Sequence, residues 1–165
     1  MFGKKKATLA DVLTNIKIAR NRVRIYKNRM KDRIEKYNQM SERNFGRFTA
    51  VSIEYMKEAE QLQRIIQFLN TIDILLEMAE IKIETIIYIG YIVNEAPAVM
   101  EAIRELKKQM GGVPELSVML EDIYAGFYAS LDMPQDMKIR STEEGKKVLE
   151  EAQKISESRE EKLIS

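Results

Sequence analysis

Apolar residues recur along this chain at helical spacing. From Leu9 a heptad holds Leu9, Ile16, Val23, Met30 and Tyr37 at one seam position and Val12, Ala19, Tyr26, Arg33 and Met40 at the other. Thr8, with Asp11 three residues on, offers an N-cap and a capping box in which Asp replaces the usual Glu. The segment from Ser41 to Gly46 brings Asn and Gly, which suit a turn. These features predict one helix of about 48 Å at a rise of 1.5 Å per residue. A second helical pattern starts near Phe48 and runs through Ser52, Tyr55, Ala59, Leu62, Ile66, Leu69, Leu76, Ala79, Ile83, Ile86, Gly90 and Val93. In its second half Ile65, Phe68, Ile72, Ile74, Leu75, Ile81, Ile87 and Ile89 lie off the seam. A helix apolar on most sides is expected to be covered on most sides.

The covers follow in sequence. Pro97 suits the first turn of a helix with Val99, Ala102, Ile103 and Leu106 on one face, ending before Gly111 and Gly112. Pro114 opens another, with Leu116, Met119, Leu120, Ile123, Tyr124, Phe127 and Leu131 inward. Residues 132–141 read as a linker. Ser141 with Glu144 then reads as a capping box for an amphipathic helix through Val148, Leu149, Ala152 and Ile155. Its charge-rich end is expected to dock reversibly. No segment alternates as a strand would. The expected fold is all-α: a long antiparallel helical hairpin followed by two short helices and an amphipathic, partly mobile C-terminal helix. Residues 1–131 would form the helical core, and residues 132–165 a linker and C-terminal regulatory helix.

Composition narrows the chemistry. A chain of 165 residues suits one domain. It has no Cys and no His, which excludes disulfides, thiolate or imidazole metal sites, and Cys–His or Ser–His nucleophile pairs. Glu77, Glu80 and Glu84 occupy adjacent turns, but carboxylate-bridged metal sites in bundles use a Glu-x-x-His pair. They read instead as an acidic face that pairs with a cationic helix. No Gly-rich phosphate loop is present. No catalytic residue, metal or cofactor is therefore expected. The longest apolar stretch, Ile86 to Val93, has eight residues, where a bilayer core needs about 20. The basic N-terminus lacks an apolar segment behind it and does not read as a signal peptide. A cytoplasmic protein is expected.

Charge changes the picture more than composition does. Residues 1–47 carry 14 Lys/Arg against 4 Asp/Glu, while the remainder carries 13 against 22. Between Gly111 and Met137 stand Glu115, Glu121, Asp122, Asp132 and Asp136, with no basic residue. A head suited to a polyanion is thus followed by a tail able to cover it. On the first helix Lys17, Arg20, Arg24, Lys27 and Lys31 recur at spacings of 3 and 4, forming one cationic stripe beside the seam. Arg22, Arg29, Lys36 and Arg43 recur every seven on the other flank. Phe2 with Lys4, Lys5 and Lys6 has the pattern of a shallow interfacial anchor. Ile18 and Ile25, seven apart and away from the seam, are candidates for intersubunit contact.

The order of elements resembles the ESCRT-III (Snf7-type) family, and in particular the archaeal members of the Cdv cell-division system. The likeness is carried by Leu75-Leu76-Glu77-Met78-Ala79-Glu80-Ile81-Lys82-Ile83-Glu84-Thr85-Ile86-Ile87, which resembles the Leu-Glu-x-x-x-x-Lys-x-Glu-Thr pattern of those proteins. It continues through Ala96-Pro97-Ala98-Val99-Met100 to Val113-Pro114-Glu115-Leu116. The resemblance spans roughly Leu9 to Leu131 and implies a subunit that polymerises on anionic membranes and remodels them, in cell division or vesicle budding. It also implies assembly with itself and with paralogues, a peripheral place at the inner face of the membrane, and disassembly by a Vps4-like AAA ATPase. No proline follows Pro134, and no Leu-x-x-Arg-Leu helix ends the chain, so the ATPase is expected to act indirectly. Membrane contact would fall to Phe2, Lys4, Lys5, Lys6, Lys17, Arg20, Arg24, Lys27 and Lys31. Self-assembly would fall to Ile18, Ile25, Arg22, Arg29, Glu77, Glu80 and Glu84, with joints at Gly90 and Pro97. A coiled-coil adaptor that never polymerises is the alternative. Nucleic-acid binding by the same rod is a further one, disfavoured because Tyr26 and Tyr37 belong to the seam and few other aromatics interleave with the stripe.

Overall fold

The computed structural model describes residues 8–92, 95–109, 113–131, 133 and 135–164. Five helices account for almost all of them: α1 (Leu9–Asn44), α2 (Thr49–Ile89), α3 (Glu95–Gln109), α4 (Pro114–Ala129) and α5 (Gln135–Ile164). The all-α expectation holds, and among the described residues no strand forms.

The capping box predicted at Thr8 is present in full. The Asp11 amide donates to Thr8 Oγ1 at 3.2 Å, and the Thr8 amide donates to the Asp11 carboxylate at 3.1 Å. This fixes the start of α1 and so the phase of everything on its surface. The helix ends in a tight turn, where the Arg47 and Phe48 amides donate to the Asn44 carbonyl. Gly46 takes a left-handed φ of 83° there, a conformation that a side chain would strain. Just behind the turn Ser41 and Ser52 are buried and bonded reciprocally. Ser41 Oγ donates to the Ser52 carbonyl at 3.1 Å, and Ser52 Oγ donates to the Ser41 carbonyl at 2.9 Å. Two small hydroxyl residues let the helices approach closely and satisfy one another without water.

α1 and α2 run antiparallel as a hairpin; α3 packs on α2, α4 on α1 and α3, and α5 on α3 and α2. The core gathers at the open end. Val12, Ile16, Ala19 and Val23 of α1 meet Leu69, Ile72, Leu75, Leu76, Ala79 and Ile83 of α2. Met100, Ile103 and Leu106 of α3, with Leu116, Leu120, Ile123 and Phe127 of α4, close it from the other sides. Glu101 is inside this layer, 4% exposed, and accepts hydrogen bonds from the Tyr124 and Tyr128 hydroxyls, each at 2.8 Å. α5 lies close on α3 because Gly145 has no side chain: a Cβ there would stand 2.7 Å from Glu101 Cβ.

Three expectations need correction. α2 does not run on to Val93 but stops at Ile89, because Gly90 takes a left-handed φ of 81° and caps the Ile86 carbonyl; Val93 lies outside the described residues. Ile81, Ile87 and Ile89 are not covered: they are exposed, Ile81 by 54%, because the packing helices reach one side only of the last turns of α2. Finally, the stretch read as a linker is helical from Gln135. Ser141 is not an N-cap but a mid-helix residue whose hydroxyl donates back to the Met137 carbonyl at 2.5 Å, which satisfies it inside the helix.

Candidate functional site

The chemistry of α1 is set by its helical phase. With Val12, Ile16, Ala19 and Val23 turned inward, Lys17, Arg20, Arg24, Lys27 and Lys31 fall on one flank of the hairpin, as the spacing predicts. What the spacing does not reveal is how much of that flank α2 neutralises. Asp73, Glu77, Glu80 and Glu84 follow one another at spacings of 4, 3 and 4 and face the first two cations.

Arg20 is the centre of this cluster. Its Nη1 donates to Glu80 Oε2 at 2.8 Å and its Nε to Asp73 Oδ1 at 3.1 Å, with Glu77 at 3.9 Å. Partial burial works against its charge, but the hydrogen bonds to Glu80 and Asp73 outweigh that and raise its pKa. Lys17 stands 4.0 Å from Glu80 and 3.9 Å from Glu84, a looser and more exposed arrangement. Further along, the Arg24 guanidinium donates to Asn21 Oδ1 at 2.5 Å, and Lys31 is exposed. Lys17, Arg20, Asn21, Arg24 and Lys27 line an open cleft of about 450 Å³ whose far wall is Asp73 and Glu80. The stripe is therefore graded: α2 carboxylates hold it at Lys17 and Arg20, and its other end is marked by the exposed Lys31.

On the opposite flank Arg22 pairs with Glu115 of α4 at 3.2 Å, and the Tyr26 hydroxyl donates to the same carboxylate. That hydrogen bond, with burial and the carboxylate charge behind it, raises the Tyr26 pKa; Arg22 and Arg29 pull the other way. The acidic segment after Gly111 thus does touch the basic helix, but through the first turn of α4. α5 packs on α3 and α2 and does not lie over the cationic stripe. Glu121, the next acid of α4, turns to Lys107 of α3 at 2.7 Å, which lowers its pKa.

The remaining predicted residues distribute as follows. Ile18 and Ile25 are exposed on α1, away from the core. Glu77, Glu80 and Glu84 are engaged within the chain by Lys17 and Arg20, so the reading of an acidic face answering a cationic helix describes their present contacts. Gly90 ends α2, and Pro97 is buried in the first turn of α3. Phe2, Lys4, Lys5 and Lys6 lie outside the described residues. Asp73 was not anticipated, although it continues the spacing of the three glutamates one turn back. Among the described residues no helix is long and apolar enough to cross a membrane.

Comparison with known proteins gives the arrangement a context. Over 156 residues the chain is 33% identical to Cell division protein B3 of Sulfolobus acidocaldarius, covering 92% of each chain. Over 147 residues it is 26% identical to Cell division protein B1 of the same organism, covering 84% of this chain and 69% of that one. No protein-family model matches the chain, and no solved structure matches it.

Proposed function

The chain belongs to the family of archaeal ESCRT-III-type cell division proteins that includes B3, and from that premise we propose that it is a filament subunit that polymerises on anionic membrane and remodels it during cell division. The observation that carries this reading is the graded cationic flank of α1 on a rigid two-helix rod. Such a rod meets a flat anionic surface without refolding.

Magnitudes favour a polymer over a lone subunit. A basic residue near an anionic leaflet contributes about 1 kcal/mol. The five stripe residues together supply at most about 5 kcal/mol, and less where α2 carboxylates hold Lys17 and Arg20, too little to keep one subunit on a membrane. Attachment that adds along a filament overcomes this. Phe2, Lys4, Lys5 and Lys6 supply a further shallow anchor. Neighbouring subunits meet through Ile18, Ile25 and Arg29, and Arg22, Glu77, Glu80 and Glu84 exchange intramolecular partners for intermolecular ones. On assembly α2 extends into the helices after it, with Gly90 and Pro97 as the joints of that opening, and residues 132–165 regulate it. Paralogues co-assemble with the chain at the inner face of the membrane, and a Vps4-like ATPase reaches it through them.

The test is co-sedimentation with anionic and neutral vesicles, the pellets viewed by negative-stain electron microscopy. A variant with Arg24, Lys27 and Lys31 changed to Glu runs alongside. Charge-dependent pelleting with filaments or tubules is expected, with loss of pelleting in the variant. Monodisperse protein under every lipid condition would instead describe a coiled-coil adaptor.

A further inference from the structure

We propose that the closed end of the hairpin is a second, separate lipid contact, in which Phe45 and Phe48 enter the interfacial layer of an anionic membrane beside Arg43 and Arg47. Two phenylalanines stand in solvent at one place: Phe45 is 80% exposed and Phe48 60%, whereas Phe127 is fully buried. Val51, Ile53 and Met56 extend the apolar surface along the first turns of α2. Single exposed apolar residues are ordinary, but five within twelve positions at one end of a rod are not.

The exposure is built into the turn. The Phe45 amide donates to the Glu42 carbonyl, and the Arg47 and Phe48 amides to that of Asn44, so the backbone between the rings is closed by its own hydrogen bonds. The Ser41–Ser52 pair locks the helices directly behind it. Both rings are consequently presented by a rigid base, and no part of the described chain folds over them.

Charge selects the occupant. Arg43 and Arg47 are exposed and flank the rings, and neither forms an ion pair among the described residues. Of the nearby carboxylates, Glu54 is paired with Lys57 at 3.8 Å, which leaves Glu42 as the opposing charge. Aromatic rings beside guanidinium groups on a convex end match a layer whose surface is anionic and whose interior is apolar. A protein partner would need a concave apolar seat bearing carboxylates. The tip lies about 20 Å beyond Lys31 along α1, so it contacts lipid independently of the stripe, although it rests on the reading that this chain meets a membrane.

The chain contains no Trp, so Phe45→Trp places a single indole at the tip. The full-length variant is mixed with phosphatidylglycerol–phosphatidylcholine vesicles, and emission, quenching by brominated acyl chains and pelleting are read together. A blue shift with bromine quenching is expected, and F45S/F48S should bind about 100-fold more weakly, about tenfold per ring. Unchanged emission with protein in the pellet overturns the tip contact and leaves the membrane function standing. Unchanged emission with nothing in the pellet overturns both. A blue shift that grows with protein concentration, without vesicles and without bromine quenching, assigns the tip to a second copy and overturns the lipid contact. Circular dichroism separates these outcomes from misfolding, which is not expected for two exposed side chains.

Discussion

The same two helices build both ends of the hairpin, yet the ends differ in kind. At the open end Ile16, Leu69, Ile72, Leu76 and Ile83 are fully buried, because α3 and α4 supply walls that α1 and α2 cannot supply to each other. At the closed end, over residues 31–62, the buried side chains are Ser41, Ser52 and Ala59. A two-helix layer covers one stripe per helix and no more. The heptad of α1 runs evenly through both regions, but deep burial follows it only as far as Val23; Met30, Tyr37 and Met40 are half-buried and Arg33 is exposed. Periodicity therefore reports which face turns inward. How deeply that face is buried depends on elements far away in sequence. Stability belongs to the open end, and the closed end is an arm carried by it.

The largest effect that could break this contrast comes from paired truncations. Leu76→Ala removes a fully buried side chain at the open end and should cost about 2–5 kcal/mol. Leu62→Ala, half-buried on the arm, should cost about 1 kcal/mol or less. Urea denaturation of the two variants measures the difference directly. Equal losses would mean that the arm has a core of its own.

A second change sharpens the contrast within the open end. A side chain at Gly145 would run into Glu101 and the backbone of Ala98 and Ala102, so Gly145→Val forces α5 away from α3. Overpacking of this kind costs about 1–3 kcal/mol. The effect should fall on α5 first: proteolysis within α5 should speed up while the hairpin stays protected. Simultaneous cleavage throughout the chain would show that α5 is part of the same cooperative unit.

On the arm, Ser52→Ala removes one of two reciprocal hydrogen bonds and should cost about 1 kcal/mol, near the ordinary net value of such a bond. The double variant S41A/S52A should cost less than the sum of the singles, because the two hydroxyls share one contact. Denaturation midpoints of the three variants test the coupling, and strict additivity would show that the hydroxyls act separately.

Local chemistry made much of this fold legible. The capping box at Thr8, the turn at Asn44 and Gly46, and the helix start at Pro114 each state their role within a few residues. The stripe on α1 and the acidic face on α2 were legible too, since helical spacing alone places them, and so was the pairing of those acids with a cationic helix. Which cations they take was not, because which turn faces which is a tertiary fact; Asp73 joins the cluster for the same reason. Glu101 was invisible, because a glutamate on a short helix reads as solvated until Tyr124 and Tyr128 arrive from α4. The early start of α5 was missed because Ser141 has two options, capping a helix or bonding back within one, and neighbouring residues do not decide between them.

The smallest effect concerns the protonation of the open end. Burial, with the adjacent Glu101 carboxylate, pushes the Tyr128 pKa well above that of a free phenol, and Tyr124 moves in the same direction. The folded chain thus holds its phenolic proton at a pH where the unfolded chain releases it. The sign follows from linkage: the stabilisation is complete below the unfolded pKa of about 10 and is lost as pH rises above it. Tyr128→Phe has no such proton to lose, so its stability should fall less steeply than that of the parent between about pH 9 and pH 11. Whatever is common to the two proteins cancels in the difference. At neutral pH the variant should be modestly weaker, because Glu101 keeps the Tyr124 hydroxyl and Arg104 but loses one donor. Parallel stability curves at alkaline pH would place the Tyr128 hydroxyl in water, and with it the carboxylate that anchors α4 to α3.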